Sequence, residues 1–394
     1  MSVHEGLSAR VGRRVRHAAA AVAACAVMAA VLPSGAQADD ARRDPAGGLR
    51  LNQIQVMATH NSYHREASFA EQKVMERQEP TFDNLLYSHA SLPVQLDDQH
   101  VRGIELDVFP DPEGGLYADP LIRRAAGLPP LTDPDWREPG FKVLHWADFD
   151  YGTSCVTFTG CLEQVRQWSR RHPGHVTVPI LLELKSTDPR LEEAGGARSP
   201  AWDTAMLDAL DAAIRSVFDE EDMLTPDDLR RPGRTLEESV LEHGWPTVAE
   251  TRGQVMFLMD NTDQEIQDAY RAGGRESLQG RVLFTDARPG RPDAAFVKWN
   301  EATGGNRAVI RDLVRRGYYV RTRADIPLEE AASGDTSRLR AALTSGAQMV
   351  STDFPVPGMA ARYGSDYVAR LPHGAVARCN PVTAPRCPGS HLEP

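Results

Sequence analysis

Residues 103–109 read Gly-Ile-Glu-Leu-Asp-Val-Phe, an apolar run broken at two positions by carboxylates. Glu105 and Asp107 are two apart, so in an extended strand both point to one face. Similar runs occur at 54–58, 142–146, 177–184, 255–259, 295–299, 318–322 and 349–352. Several are almost continuously apolar, the pattern of strands buried on both faces. Helical patterns lie among them at 162–171, 202–217, 302–316 and 336–345. Alternating strand and helix implies a parallel sheet. Eight strands predict an α/β fold, an irregular (β/α)8 TIM barrel. A further strand-like run at 282–285 is left over. The segments 62–101 and 186–253 are long connections, and 110–140 is rich in Pro and Gly; long loops in a barrel often carry function. No linker divides the middle of the chain, so one barrel domain is expected over 39–372, followed by a Pro-rich C-terminal tail over 373–394, expected to be a disulfide-pinned coil.

The ends of the chain bound its setting. Arg10, Arg13, Arg14 and Arg16 precede an alanine-rich apolar stretch at 18–32, and Ala36-Gln37-Ala38 follows. That order reads as a secretory signal peptide over 1–38 and a secreted protein. Beyond it no apolar run approaches the ~20 residues that cross a bilayer. The net charge is −11, and removing the basic leader makes it more negative. A chain this acidic argues against nucleic acid, which calls for a basic face. It also argues against gripping anionic membranes by net charge. Four cysteines follow the leader, and in an exported chain their spacing predicts disulfides Cys155–Cys161 and Cys379–Cys387.

In a (β/α)8 barrel the active site lies at the C-terminal ends of the strands. Those ends offer, in chain order, Thr59-His60-Asn61-Ser62-Tyr63, Glu105 with Asp107, His145, and Glu183 with Lys185. Two carboxylates aimed into one interior repel each other and lose solvation. A bound cation removes that penalty. Asn61, Glu105, Asp107 and Glu183 make an all-oxygen shell suited to Ca²⁺ or Mg²⁺. His60 and His145 suit general acid–base catalysis near neutral pH. A phosphodiester uses both features, the cation for developing charge and a histidine for the leaving oxygen. Lys185 could hold a phosphate oxygen or a ring hydroxyl. Asp353 could orient a neighbouring group or close the barrel, and it is left out of the catalytic set. No partner is assigned to His64 or His89.

The order of these residues resembles the catalytic half of calcium-dependent phosphoinositide-specific phospholipases C, the secreted bacterial branch above all. Pro179-Ile180-Leu181-Leu182-Glu183-Leu184-Lys185, Gly244-Trp245-Pro246-Thr247, Thr322-Arg323-Ala324-Asp325 and Ser351-Thr352-Asp353-Phe354-Pro355 extend the likeness over most of 50–360. The resemblance implies that phosphatidylinositol is cleaved to diacylglycerol and an inositol phosphate, through a cyclic 1,2-phosphate. It implies Ca²⁺ on Asn61, Glu105, Asp107 and Glu183, with Glu105 doubling as base. His60 would stabilise the phosphorane or help deprotonate the attacking hydroxyl, and His145 would be the acid. The partner implied is a phosphoinositide lipid at a membrane or micelle surface, met by a monomer. The basic residues that read ring phosphates are not clearly placed; Arg321 and Arg323 share a strand face and are the candidates. One rival is a glycerophosphodiester phosphodiesterase or sphingomyelinase D-like enzyme on the same barrel. Another is a non-catalytic, calcium-stabilised lipid- or inositol-binding protein.

Overall fold

The computed structural model describes residues 48–387, 392 and 393. The expected signal peptide and its cleavage site lie outside the described residues. The apolar runs form strands β1 (Ile54–Thr59), β2 (Ile104–Asp111), β3 (Gly140–Val143), β4 (Val178–Leu184), β5 (Val255–Met259), β6 (Leu283–Thr285), β7 (Phe296–Lys298), β8 (Tyr319–Arg323), β9 (Met349–Thr352) and β10 (Ala377–Cys379). They build two sheets, ordered β10-β1-β9-β8-β7 and β3-β2-β4-β5-β6. β3 and β10 are antiparallel to their neighbours β2 and β1. The other eight strands pair in parallel within each sheet.

Two seams join the sheets into a ring. At the first, the amides of Arg102, Thr59 and Ser62 donate to the carbonyls of Met57 (2.9 Å), Gly103 (3.1 Å) and Glu105 (3.0 Å). At the second, Asp286 bridges Phe296 in parallel, and Ala287 N donates to Phe296 O at 3.3 Å. Eight parallel strands closed in this way are the expected barrel, with one correction to their identity. The run at 142–146 is not a parallel barrel strand. β2 continues to Asp111, and β3 folds back along it with Val143 opposite Val108 and Gly140 opposite Asp111. The leftover run at 282–285 supplies the missing parallel strand as β6. No helix separates β6 from β7 among the described residues, and a groove of about 860 Å³ lies beside that short connection.

The expected helices form at Phe158–Arg171, Thr204–Val217, Asn306–Arg316 and Ser337–Ser345. Side-chain caps set two starts: Thr157 accepts from Gly160 N, and Asp203 from Met206 N. Ile104, Leu106 and Val108 share one buried cluster with Leu162, Val165 and Trp168 of the first of these helices. Alternation therefore sends Glu105 and Asp107 into the barrel. Both expected disulfides are formed. The tail is more ordered than a pinned coil. Its β10 pairs with β1, Leu392 is buried, and Glu393 meets Arg102 through two hydrogen bonds of 2.6 and 2.7 Å.

Candidate active site

The turn after β1 is tied to β2 before any chemistry is considered. Ser62 Oγ accepts from Glu105 N at 2.8 Å and lies 2.6 Å from Thr59 Oγ1, while Gln95 Nε2 donates to Ser62 O at 2.6 Å. Asn61 sits in this turn with φ +45°, in the left-handed region that asparagine tolerates better than most residues. Its amide nitrogen donates to Tyr87 OH at 3.3 Å. Its Oδ1 is buried without a hydrogen-bond donor, as is Oδ1 of Asp107, whose Oδ2 has the Lys185 ammonium at 3.3 Å. Unpaired buried acceptors are costly, and Asp107 does not stand alone: Glu105, Asp107 and Glu183 offer oxygens within 4.8 Å of one another. Burial drives the Asp107 carboxyl well above its usual range. Burial also pushes Glu105 up to about 7, against the pull of Arg321. This oxygen-rich group fits a hard divalent ion, so the donor set suits calcium.

Three basic side chains sit against this cluster. Arg321 Nη2 donates to Glu105 Oε2 at 2.5 Å, Nε donates to Ser351 Oγ at 3.0 Å, and Nη1 bonds Asn300 Oδ1. Arg323 Nη2 donates to Asp353 Oδ2 at 2.7 Å. Lys185 Nζ lies 3.2 Å from Glu183 Oε1 and 3.3 Å from Asp107 Oδ2. Both arginines are thus engaged by side chains inside the site.

Each histidine has a carboxylate behind it. Asp353 Oδ1 accepts from His60 Nδ1 at 2.8 Å, which leaves Nε2 facing Glu105 Oε1 at 3.6 Å, with Arg323 Nη1 at 3.3 Å. Burial, then the Arg323 charge, brings the His60 ring down to about 3. It is a neutral imidazole with a lone pair on Nε2. His89 Nε2 donates to the His60 carbonyl at 2.9 Å and steadies the turn. Asp150 Oδ2 accepts from His145 Nδ1 at 2.8 Å and from His64 Nε2 at 2.9 Å. His64 Nδ1 donates to Tyr87 O at 2.9 Å, so both its nitrogens act as donors and the ring is a buried cation. His145 is the more open of the pair and lines a cavity of about 310 Å³ with Phe109, Trp146, Lys185, Ser186 and Asp188.

Sequence reasoning missed Asp150 behind His145, and named Asp353 as an orienting residue without its partner His60. Asp150 returns to His145 through a tight turn in which Trp146 and Asp150 exchange both backbone hydrogen bonds, at 2.9 and 2.8 Å. An aspartate five residues after a histidine was the available signal. Asp353 follows β9, the neighbour of the His60 strand. The left-out Asp353 thus touches His60 directly, and the unassigned His64 and His89 lie immediately around the site.

Two carboxylate-backed histidines beside an oxygen-rich cation cradle are the equipment for metal-assisted cleavage of a phosphoric diester. The family described as phosphoinositide phospholipase C, Ca²⁺-dependent, matches residues 49–381, and the chain belongs to that family. Its cofactor is Ca²⁺, and the rival phosphodiesterase and binding-protein readings are not favoured by this match. Among solved structures, the calcium-dependent phosphoinositol-specific phospholipase C of a Pseudomonas species, apo form, has TM-score 0.51 and 16% identity, over 85% of this chain and 96% of that one. A myo-inositol complex of the Pseudomonas enzyme gives 0.50 and 16%, over 84% and 95%. The phosphatidylinositol-specific enzyme of Streptomyces antibioticus gives 0.48 and 18%, over 78% and 95%. At these identities the Pseudomonas structures show the fold. The chloroplastic pyruvate kinase isozyme G of Ricinus communis is 25% identical over 174 residues, and the chain spans 40% of its length.

Proposed function

We propose that this protein cleaves phosphatidylinositol at a membrane surface into diacylglycerol and a cyclic inositol phosphate, with His60 and His145 as the proton-transfer pair. The observation that carries the reading is the matched arrangement of the histidines. Each has Nδ1 tied to a buried carboxylate and Nε2 turned toward the site, where His60 Nε2 meets Arg323 Nη1 at 3.3 Å and Glu105 Oε1 at 3.6 Å. The neutral His60 Nε2 is suited to take the proton of the inositol 2-hydroxyl as its oxygen attacks phosphorus. The bond between phosphorus and the glycerol oxygen breaks, and His145 Nε2 is suited to protonate that oxygen. The diester is exchanged for a cyclic diester, so no water enters this step.

Asn61, Glu105, Asp107 and Glu183 would hold calcium, which when bound would neutralise charge developing on the phosphoryl oxygens. Asp353 and Asp150 act through the histidines by fixing ring orientation and tautomer. Arg321 and Arg323 hold Glu105 and Asp353 in place, a role that leaves neither free to read ring phosphates. We also infer export through residues 1–38, a reading supported by the paired cysteines. The test is diacylglycerol release from phosphatidylinositol vesicles. His145→Ala is expected to lower it by about 10²–10⁴-fold; release equal to the unaltered protein would remove His145 from the mechanism.

A further inference from the structure

The acidic cluster carries its own counter-charges, and they differ in kind. Arg321 is 1% exposed, and its guanidinium bonds Glu105, Ser351 and Asn300. Every side of that planar fork is engaged, so Arg321 is a fixed charge. Among the described residues, the Lys185 ammonium is held only by the two contacts to Glu183 and Asp107. Its side chain keeps 19% exposure and lines the cavity that His145 opens onto. A flexible four-carbon stem lets its ammonium leave the carboxylates without unfolding anything.

Charge counting separates the two roles. Glu105, Asp107 and Glu183 bring three negative charges when ionised. Arg321 offsets one. A divalent ion offsets the other two, which leaves Lys185 without a charge to balance and next to a cation that repels it. We propose that Lys185 is an internal competitor for calcium: it closes the empty acidic cluster and is expelled into the headgroup cavity when the metal binds. Its ammonium is then available to the anionic phosphate of the substrate. Calcium affinity is thereby set below what the bare carboxylates would give, and metal binding prepares the cavity for an anion. This rests on the reading of Asn61, Glu105, Asp107 and Glu183 as the calcium site.

The test reads calcium binding directly, by calorimetry on the metal-free protein, with melting temperatures with and without calcium. Lys185→Met is expected to bind calcium about tenfold more tightly, an electrostatic effect of removing one adjacent charge. Its metal-free form should melt lower while the calcium-loaded form changes little, and Lys185→Arg should keep the weaker affinity. Equal or weaker calcium binding by Lys185→Met, or an equal fall in both melting temperatures, overturns the proposal. A second readout needs no variant. The chain has four lysines, Lys73, Lys142, Lys185 and Lys298, and Lys73 is exposed. Acetylation of Lys185 relative to Lys73, read by mass spectrometry, should rise when calcium is added; no rise contradicts displacement. If the unaltered protein binds no calcium at all, the metal site itself fails, a result distinct from failure of the lysine's role.

Discussion

Asp150 is the residue on which the acid half of the site turns. It has no exposed surface and serves His64 and His145 with one oxygen. Burial alone would raise its carboxyl, but the two histidines outweigh burial and hold it below the usual carboxylate range. A depressed folded-state value contributes stability above the unfolded value of ~3.9, and that stability is lost as pH falls through the folded value. Asp150→Asn should therefore cost about 3 kcal/mol at pH 7, the scale of a broken buried pair. The gap between variant and parent urea midpoints should narrow below pH ~4; a gap constant with pH would contradict the ion pairing. The same substitution should lower turnover about 10–100-fold, the scale of a lost partner behind a functional histidine, and shift the alkaline limb of the pH–rate profile, where the general acid His145 loses its proton, which a purely structural role would not move. Glu105, Asp107 and Glu183 were legible from strand alternation, and His60 with Asn61 from the end of the first strand, whereas His145 was named although its strand was misread as parallel. Asp150 was not legible, and Asp353 was legible as an orienting residue but without its partner, because a positioning pair is defined by a distance that residue order does not encode.

The seam between β1 and β2 carries the His60 turn against Glu105. There Gly103 lets the strands approach: a Cβ at this position would lie 2.8 Å from the Ala58 Cβ. Gly103→Ala should destabilise the fold by about 1–3 kcal/mol through overpacking, measured as a fall in the urea midpoint; an unchanged midpoint would mean the seam can spread. The carboxyl end braces the same region. Arg102 meets Glu393, donates to Leu96 O and Val101 O, and lies 4.9 Å over the Trp168 ring. Arg102→Ala should cost about 2–4 kcal/mol, since it leaves the partly buried Glu393 without its cation, read by the same melt; no loss would make the tail dispensable. Two elements escaped the sequence for physical reasons. An apolar run does not encode strand direction, so 142–146 was read as parallel although β3 is antiparallel. β6 is only Leu283–Thr285, too short for its periodicity to distinguish a barrel strand from a spare one.

Across the whole molecule, the barrel was legible because alternating buried strands and helices admit few closed arrangements. The ring depends on two sparse seams rather than one continuous sheet, and those contacts are long-range and invisible to local pattern. The net charge of −11 places the burden of lipid contact on the site and its rim. Calcium should stabilise the fold by about 2.7 kcal/mol at a hundredfold excess over Kd, so the melting temperature should keep rising with the logarithm of the calcium concentration; Asp107→Asn should abolish most of that rise, and an undiminished rise would place the ion elsewhere. The central claim is calcium-dependent phosphodiester cleavage by the His60–His145 pair. Phosphorus NMR of phosphatidylinositol incubated with the protein, with calcium and with chelator, tests it most directly. The account predicts that calcium converts the lipid phosphodiester resonance into that of a cyclic inositol phosphate, and that chelator leaves the lipid unchanged. Unaltered lipid in calcium, or full conversion in chelator, would contradict it.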